Sequence, residues 1–147
     1  MTYTELKDEL YQVRDRERLI RSKLKSLSTM QDDYLARLNN GVTDYSRELL
    51  QKTRDPDNAI ITVIDDINRD TERYTETIKA LRDKNEPYKT LIIQMQGLGG
   101  EILRLFFIDG LAMKSICKRF NYSERSAWAY WRKTIYELLE VINENQT

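Results

Sequence analysis

The chain is 147 residues long, with 24 Lys and Arg balanced by 24 Asp and Glu, no His and a single Cys. At 33% charged residues against a usual level of about 25%, and with only 5 Gly and 2 Pro, the composition is one of long charged helices rather than of a sheet protein. The lack of His excludes Ser-His-Asp, Cys-His and His-metal chemistry, and one Cys excludes an intramolecular disulfide. No apolar run approaches the roughly 18–20 residues needed to span a bilayer, and residues 1–20 are charged throughout with no apolar signal core. With no paired-carboxylate site, metal cluster or phosphate loop, the expectation is a cytoplasmic, all-α protein with no enzymatic activity, cofactor, metal or membrane partner.

In chain order, the first predicted element is a helix over about residues 3–27. Tyr3, Leu6, Leu10, Val13, Glu17, Ile20, Leu24 and Leu27 step alternately by 3 and 4, a 3.5-residue period that keeps one narrow seam facing a partner helix. Thr2 or Thr4 suits its N-cap. Glu17 is the one charged seam position, costly unless it is paired or near solvent, and it is a candidate for fixing register or partner choice.

A second seam follows Asp55-Pro56-Asp57, at Ile60, Ile64, Ile67, Thr71, Tyr74, Ile78 and Leu81. Residues 28–55 between the two seams contain Asn39-Asn40-Gly41 and read as a connector with a short helix over 43–52. Two heptad helices imply either a coiled-coil hairpin or an intermolecular bundle, so residues 1–85 are expected to form an oligomerisation region, dimeric or tetrameric.

Asn85-Glu86-Pro87 then reads as a break before a short linking helix carrying Tyr88, Leu91, Ile92 and Met95, and Gly97-Leu98-Gly99-Gly100 as an interruption. The pattern restarts with Ile102, Leu103, Leu105, Phe106 and Ile108 on a buried helix that Asp109-Gly110 ends. A short helix from Met113 to Phe120 places Ile116, Cys117 and Phe120 inward, with Cys117 as a small buried spacer. Asn121 tolerates a left-handed turn, and Ser123 caps a third helix from Glu124 with Ala127, Trp131, Ile135 and Leu138 inward. A short helix, a tight turn and a longer capped helix make a helix-turn-helix, expected within a domain over residues 86–147. From Leu111 to Lys133, six cations (Lys114, Lys118, Arg119, Arg125, Arg132, Lys133) stand against Glu124 alone, a local positive face in a chain that nets to zero.

The stretch from Glu101 to Leu139 resembles sigma factor region 4, the helix-turn-helix that reads an upstream promoter element, through the block LRLFF, the DG turn, the helix MKSICKRF, the Ser123 cap and the spacing of Ala127, Trp131, Ile135 and Leu138. With the heptad-rich half in front, the layout resembles small phage transcriptional regulators of the RinA/ArpU type, described as late-gene activators. The resemblance implies a sequence-specific binder of double-stranded DNA, with RNA polymerase as a further partner. Carried over position by position, Ser123, Glu124, Arg125, Ser126, Trp128, Ala129 and Arg132 face the DNA. Arg125 is the first choice for a base contact, and Lys114, Arg132 and Lys133 suit phosphates. Trp128 is open to two roles, stacking on a thymine methyl or sugar and packing against protein. Two other readings stand beside the regulator: a phage small terminase subunit that recognises packaging DNA, and a module that binds RNA polymerase alone.

Overall fold

The computed structural model describes residues 1–39 and 56–146, with side chains for 1–36 and 64–146. The short helix expected over 43–52 and the seam side chain of Ile60 lie outside the described residues. Every described element is helical: α1 Tyr3–Asn39, α2 Pro56–Gln94, α3 Gly97–Leu103 running on as a π-helical turn Arg104–Ile108, α4 Met113–Phe120 and α5 Glu124–Asn145. The all-α expectation is met. Among the described residues no helix is long and apolar enough to cross a membrane.

Three boundaries differ from those expected. Residues 28–39 are not connector but the continuation of α1. Ser28 and Thr29 are indifferent helix formers, but the Thr29 hydroxyl donates back to the Lys25 carbonyl at 3.0 Å, and Leu27, Met30 and Tyr34 keep a half-buried stripe going. Pro87 does not break α2, which runs through it to Gln94. The proline removes the amide that would have bonded the Asp83 carbonyl; Asp83 and Pro87 are both exposed, so water can serve that carbonyl while the buried face stays intact. The interruption expected over 97–100 falls at Met95–Gln96 and the left-handed Gly97, and Gly99 and Gly100 already lie inside α3. A Cβ on Gly99 would collide with the Thr134 hydroxyl of α5, and one on Gly100 with the Met95 carbonyl, so these glycines allow close approach rather than a turn. Gly97 and Gly110, at φ 83° and 72°, are the two that take the left-handed conformation.

The chain divides into two compact units, Met1–Ile20 with Leu81–Thr147, and Arg21–Ala80. This departs from the expected boundary at 85/86, because the first turns of α1 are core residues of the C-terminal helices. Leu6 and Leu10 are fully buried in one cluster with Ile92, Ile102, Leu103, Phe107, Ile116, Ile135 and Leu138. Val13 and Ile20 are also buried. These seam positions are therefore buried within the chain, not left open for a second copy, and burying each leucine contributes about 1.5–3 kcal/mol. Leu105, Phe106 and Phe107 are all buried in succession. An α-helix would spread three consecutive side chains over about 200°, and the wider π turn, closed by the Asp109 amide on the Arg104 carbonyl at 3.0 Å, lets all three face inward. Tyr11 and Trp131 pack against this pair of phenylalanines, Tyr11 edge-on to Phe107 at 5.7 Å and Trp131 stacked on it at 5.8 Å.

Glu17 is buried and partnered. Its Oε1 accepts from Asn85 Nδ2 at 3.0 Å and pairs with Lys89 Nζ at 3.3 Å. Asn85, with no exposed surface, also donates to the Val13 carbonyl at 3.3 Å and accepts from Arg16 at 3.0 Å. A single polar rung thus joins α1 to α2 within the first unit and fixes their register, since sliding either helix by a turn would strand a buried amide and a buried carboxylate.

In the second unit α1 and α2 run antiparallel, with Lys23 Nζ 5.5 Å above the Tyr74 ring. The half-buried positions of α1 here are Lys23, Leu27, Met30 and Tyr34, facing Ile67, Thr71, Tyr74 and Thr77. Leu27, Ile67, Thr71 and Tyr74 lie on the expected seam, and Leu24 and Ile64 depart from it, both being exposed. Ile78 is buried, and Leu81, which belongs to the other unit, is half-buried.

Candidate nucleic-acid interface

The site is built on α4, the turn after it and the start of α5. Met113, Ile116 and Cys117 bury one side of α4, which leaves Lys114, Lys118 and Arg119 exposed on the other. Lys118 and Arg119 lie in the last turn, where cations suit the helix dipole. Asn121 takes φ 59°, ψ 39°, and the Tyr122 amide returns to the Cys117 carbonyl at 3.1 Å. That left-handed residue reverses the chain within three residues. Ser123 then caps α5, its Oγ accepting from the Ser126 amide at 3.2 Å and lying 3.0 Å from the Ser126 hydroxyl. Ala127, Trp131, Thr134, Ile135 and Leu138 are the buried face of α5. All four inward positions read from the sequence are among them.

The sequence-derived candidates fall into two groups. Lys114, Ser123, Glu124, Arg125, Ala129 and Lys133 are exposed, and Ser126 is half-buried beside the cap. A shallow cleft between α4 and the start of α5 is lined by Lys114, Lys118, Asn121, Tyr122 and Glu124, with Cys117 at its floor. Trp128 is held by protein contacts. The Trp128 ring meets Phe106 edge-on at 5.7 Å and Trp131 at 5.1 Å, so packing, of the two roles left open, is what its contacts show. Arg132 is exposed, like the first group. Burial raises the Tyr3 hydroxyl above its ordinary pKa, and the Arg132 charge offsets part of that rise. The Cys117 thiol is likewise raised, by burial first and by the nearby Glu124 carboxylate second, so it is a packing residue and not a thiolate.

The residues that the sequence reading missed come from α1. The Arg14 guanidinium lies 4.1 Å over the Phe106 ring and donates to the Leu111 carbonyl at 3.4 Å, tying α1 to the loop that leads into α4. The Tyr3 ring stacks on Tyr136 of α5 at 4.3 Å, and Asn143 donates to the Met1 carbonyl at 3.4 Å. Tyr122 and Tyr130, both exposed, meet edge-on at 5.9 Å on the surface beside the turn. Helical periodicity carries no trace of contacts between residues a hundred positions apart; the only signal in the sequence was the density of Tyr and Arg at the start of the chain.

Comparison of the chain with protein-family models, with curated proteins and with solved structures gives no match.

Proposed function

We propose that this chain binds double-stranded DNA sequence-specifically and regulates transcription, with the start of α5 entering the major groove, and that it serves phage or prophage late genes. One observation carries the reading. A short helix and a longer one are joined through a left-handed Asn121 and a Ser123 cap, and the exposed start of the longer helix carries Arg125, with Lys114, Lys118, Arg119 and Lys133 exposed on the same two helices. The resemblance of residues 101–139 to sigma factor region 4 supports it. Arg125 reads a base, since its guanidinium can donate bidentately to guanine, and Lys114 and Lys133 meet phosphates.

The test is fluorescence anisotropy on a duplex selected from fragments of the encoding genome. Five or six neutralised phosphates per chain give a log–log salt slope of roughly −5. Arg125→Ala relaxes preference at one base position by about 1–3 kcal/mol, whereas Lys133→Ala weakens every sequence alike and lowers the slope by about 1. Salt-independent binding, or no retention of DNA at low salt, refutes the reading.

A further inference from the structure

Among the described residues of the unit 21–80, three large apolar side chains stand in solvent: Leu24, Leu35 and Ile64, at 40%, 56% and 41% exposure. They are not scattered. At about 100° per residue, Leu24, Ser28, Gln31 and Leu35 fall within an arc of about 60° on α1, and all four are exposed. On α2, Ile64 and Asn68 lie displaced in the same rotational sense from the facing residues Tyr74 and Thr77, which on antiparallel helices is the same side of the pair. That side holds no charge at any of these six positions, in a chain that is 33% charged. The opposite side of the pair is a cleft lined by Lys23, Met30, Asp70, Arg73, Tyr74 and Thr77.

The edge of the uncharged stripe names what covers it. Arg21 and Lys25 border it near one end and Asp32 near the other, all exposed. A helix with this pattern complements itself only when turned end for end. Antiparallel pairing sets Leu24 level with Leu35 of the partner subunit, and brings Lys25 to within about 3 Å, along the axis, of the level of Asp32 of the partner subunit. Parallel pairing would set lysine on lysine and aspartate on aspartate. We propose that this face docks a second copy of the chain, antiparallel through α1, in a closed two-fold pair. Such a contact is isologous and stops at two subunits. It covers apolar surface that the described residues of one chain leave open. The inference does not depend on the DNA-binding reading.

Sedimentation equilibrium of the full chain should give twice the 17.5 kDa of one chain. Leu35→Glu should return it to the mass of one chain, with its helical circular dichroism unchanged because the site is on the surface. Lys25→Glu should weaken association at least tenfold, and adding Asp32→Lys should restore it. Cysteines fix the orientation. Leu24→Cys and Leu35→Cys, mixed and oxidised, should cross-link to each other, whereas Leu24→Cys alone should not, because antiparallel packing separates its two copies by 11 residues, about 16 Å. A single-chain mass for the unsubstituted protein, a ring of many subunits, a mixture that fails to cross-link, or a Leu24→Cys self-cross-link each overturns the proposal.

Discussion

Gly99→Ala is a substitution that helix propensity alone predicts to be stabilising and that the fold makes destabilising. Gly99 lies inside α3 with no positive φ, so replacing it with Ala should gain about 1 kcal/mol of propensity. The new Cβ, however, lands on the Thr134 hydroxyl, with the Thr134 Cβ at 3.2 Å and Cγ2 at 3.4 Å. Thr134 is 4% exposed, and its hydroxyl donates to the Tyr130 carbonyl at 2.7 Å. Rotating it away breaks that bond, and one of its two other rotamers puts the methyl in the same place. Overpacking at such a site costs about 1–3 kcal/mol, and breaking the hydroxyl's bond about 1 kcal/mol more. Set against the propensity gain, the net loss is about 2 kcal/mol, which for a chain of this size lowers Tm by roughly 4–8 °C. In a Thr134→Ala background the obstacle is gone, and Gly99→Ala should become neutral or stabilising by up to about 1 kcal/mol. Urea denaturation followed by circular dichroism on the four members of this cycle measures the coupling, expected at about 2–3 kcal/mol. Additive effects of the two substitutions, or a stabilising Gly99→Ala in the unsubstituted chain, would refute the close packing of α3 on α5.

Asn85→Ala should destabilise by about 1–3 kcal/mol in the same assay, because it leaves the buried Glu17 carboxylate without one of its two partners. Ser123→Ala should cost about 1 kcal/mol through loss of the α5 cap, while Asn121→Gly, at φ 59°, should hold or raise stability, and a loss would argue against the left-handed turn. Alkaline pH should destabilise the fold. Tyr3 and Tyr88 are raised above the ordinary value of 10.0 and Cys117 above 9.0, each chiefly by burial, so the folded state holds protons that the unfolded chain releases. This stabilisation is fully present below the ordinary values and is lost as pH rises through the raised ones. A Tm that stays level from pH 9 upwards would contradict it.

The C-terminal third was legible almost residue by residue. The bounds of α4, the left-handed Asn121, the Ser123 cap and the buried Ala127, Trp131, Ile135 and Leu138 all follow from local chemistry: apolar spacing, a hydroxyl at the cap and a residue tolerant of positive φ. Such features depend on neighbours within one or two turns, and those neighbours are in the sequence. The heptad spacing likewise determined that residues 3–27 and 60–81 would have a sticky stripe.

What covers that stripe was decided only by the tertiary structure. Leu6 and Leu10 close on Ile102, Ile135 and Leu138 of the same chain rather than on a second one, because a period of 3.5 specifies a face and not its partner. Asn85 looked like part of a break until it met Glu17, 68 residues away. Gly99 and Gly100 looked like an interruption until Thr134 and Met95 stood where their side chains would be. Trp128 carried the right chemistry for a DNA face, yet Phe106 and Trp131 pack against it. In each case the deciding neighbour is distant in sequence. Spacing and residue type record which surfaces must be buried or polar groups satisfied, and only the folded chain determines by what.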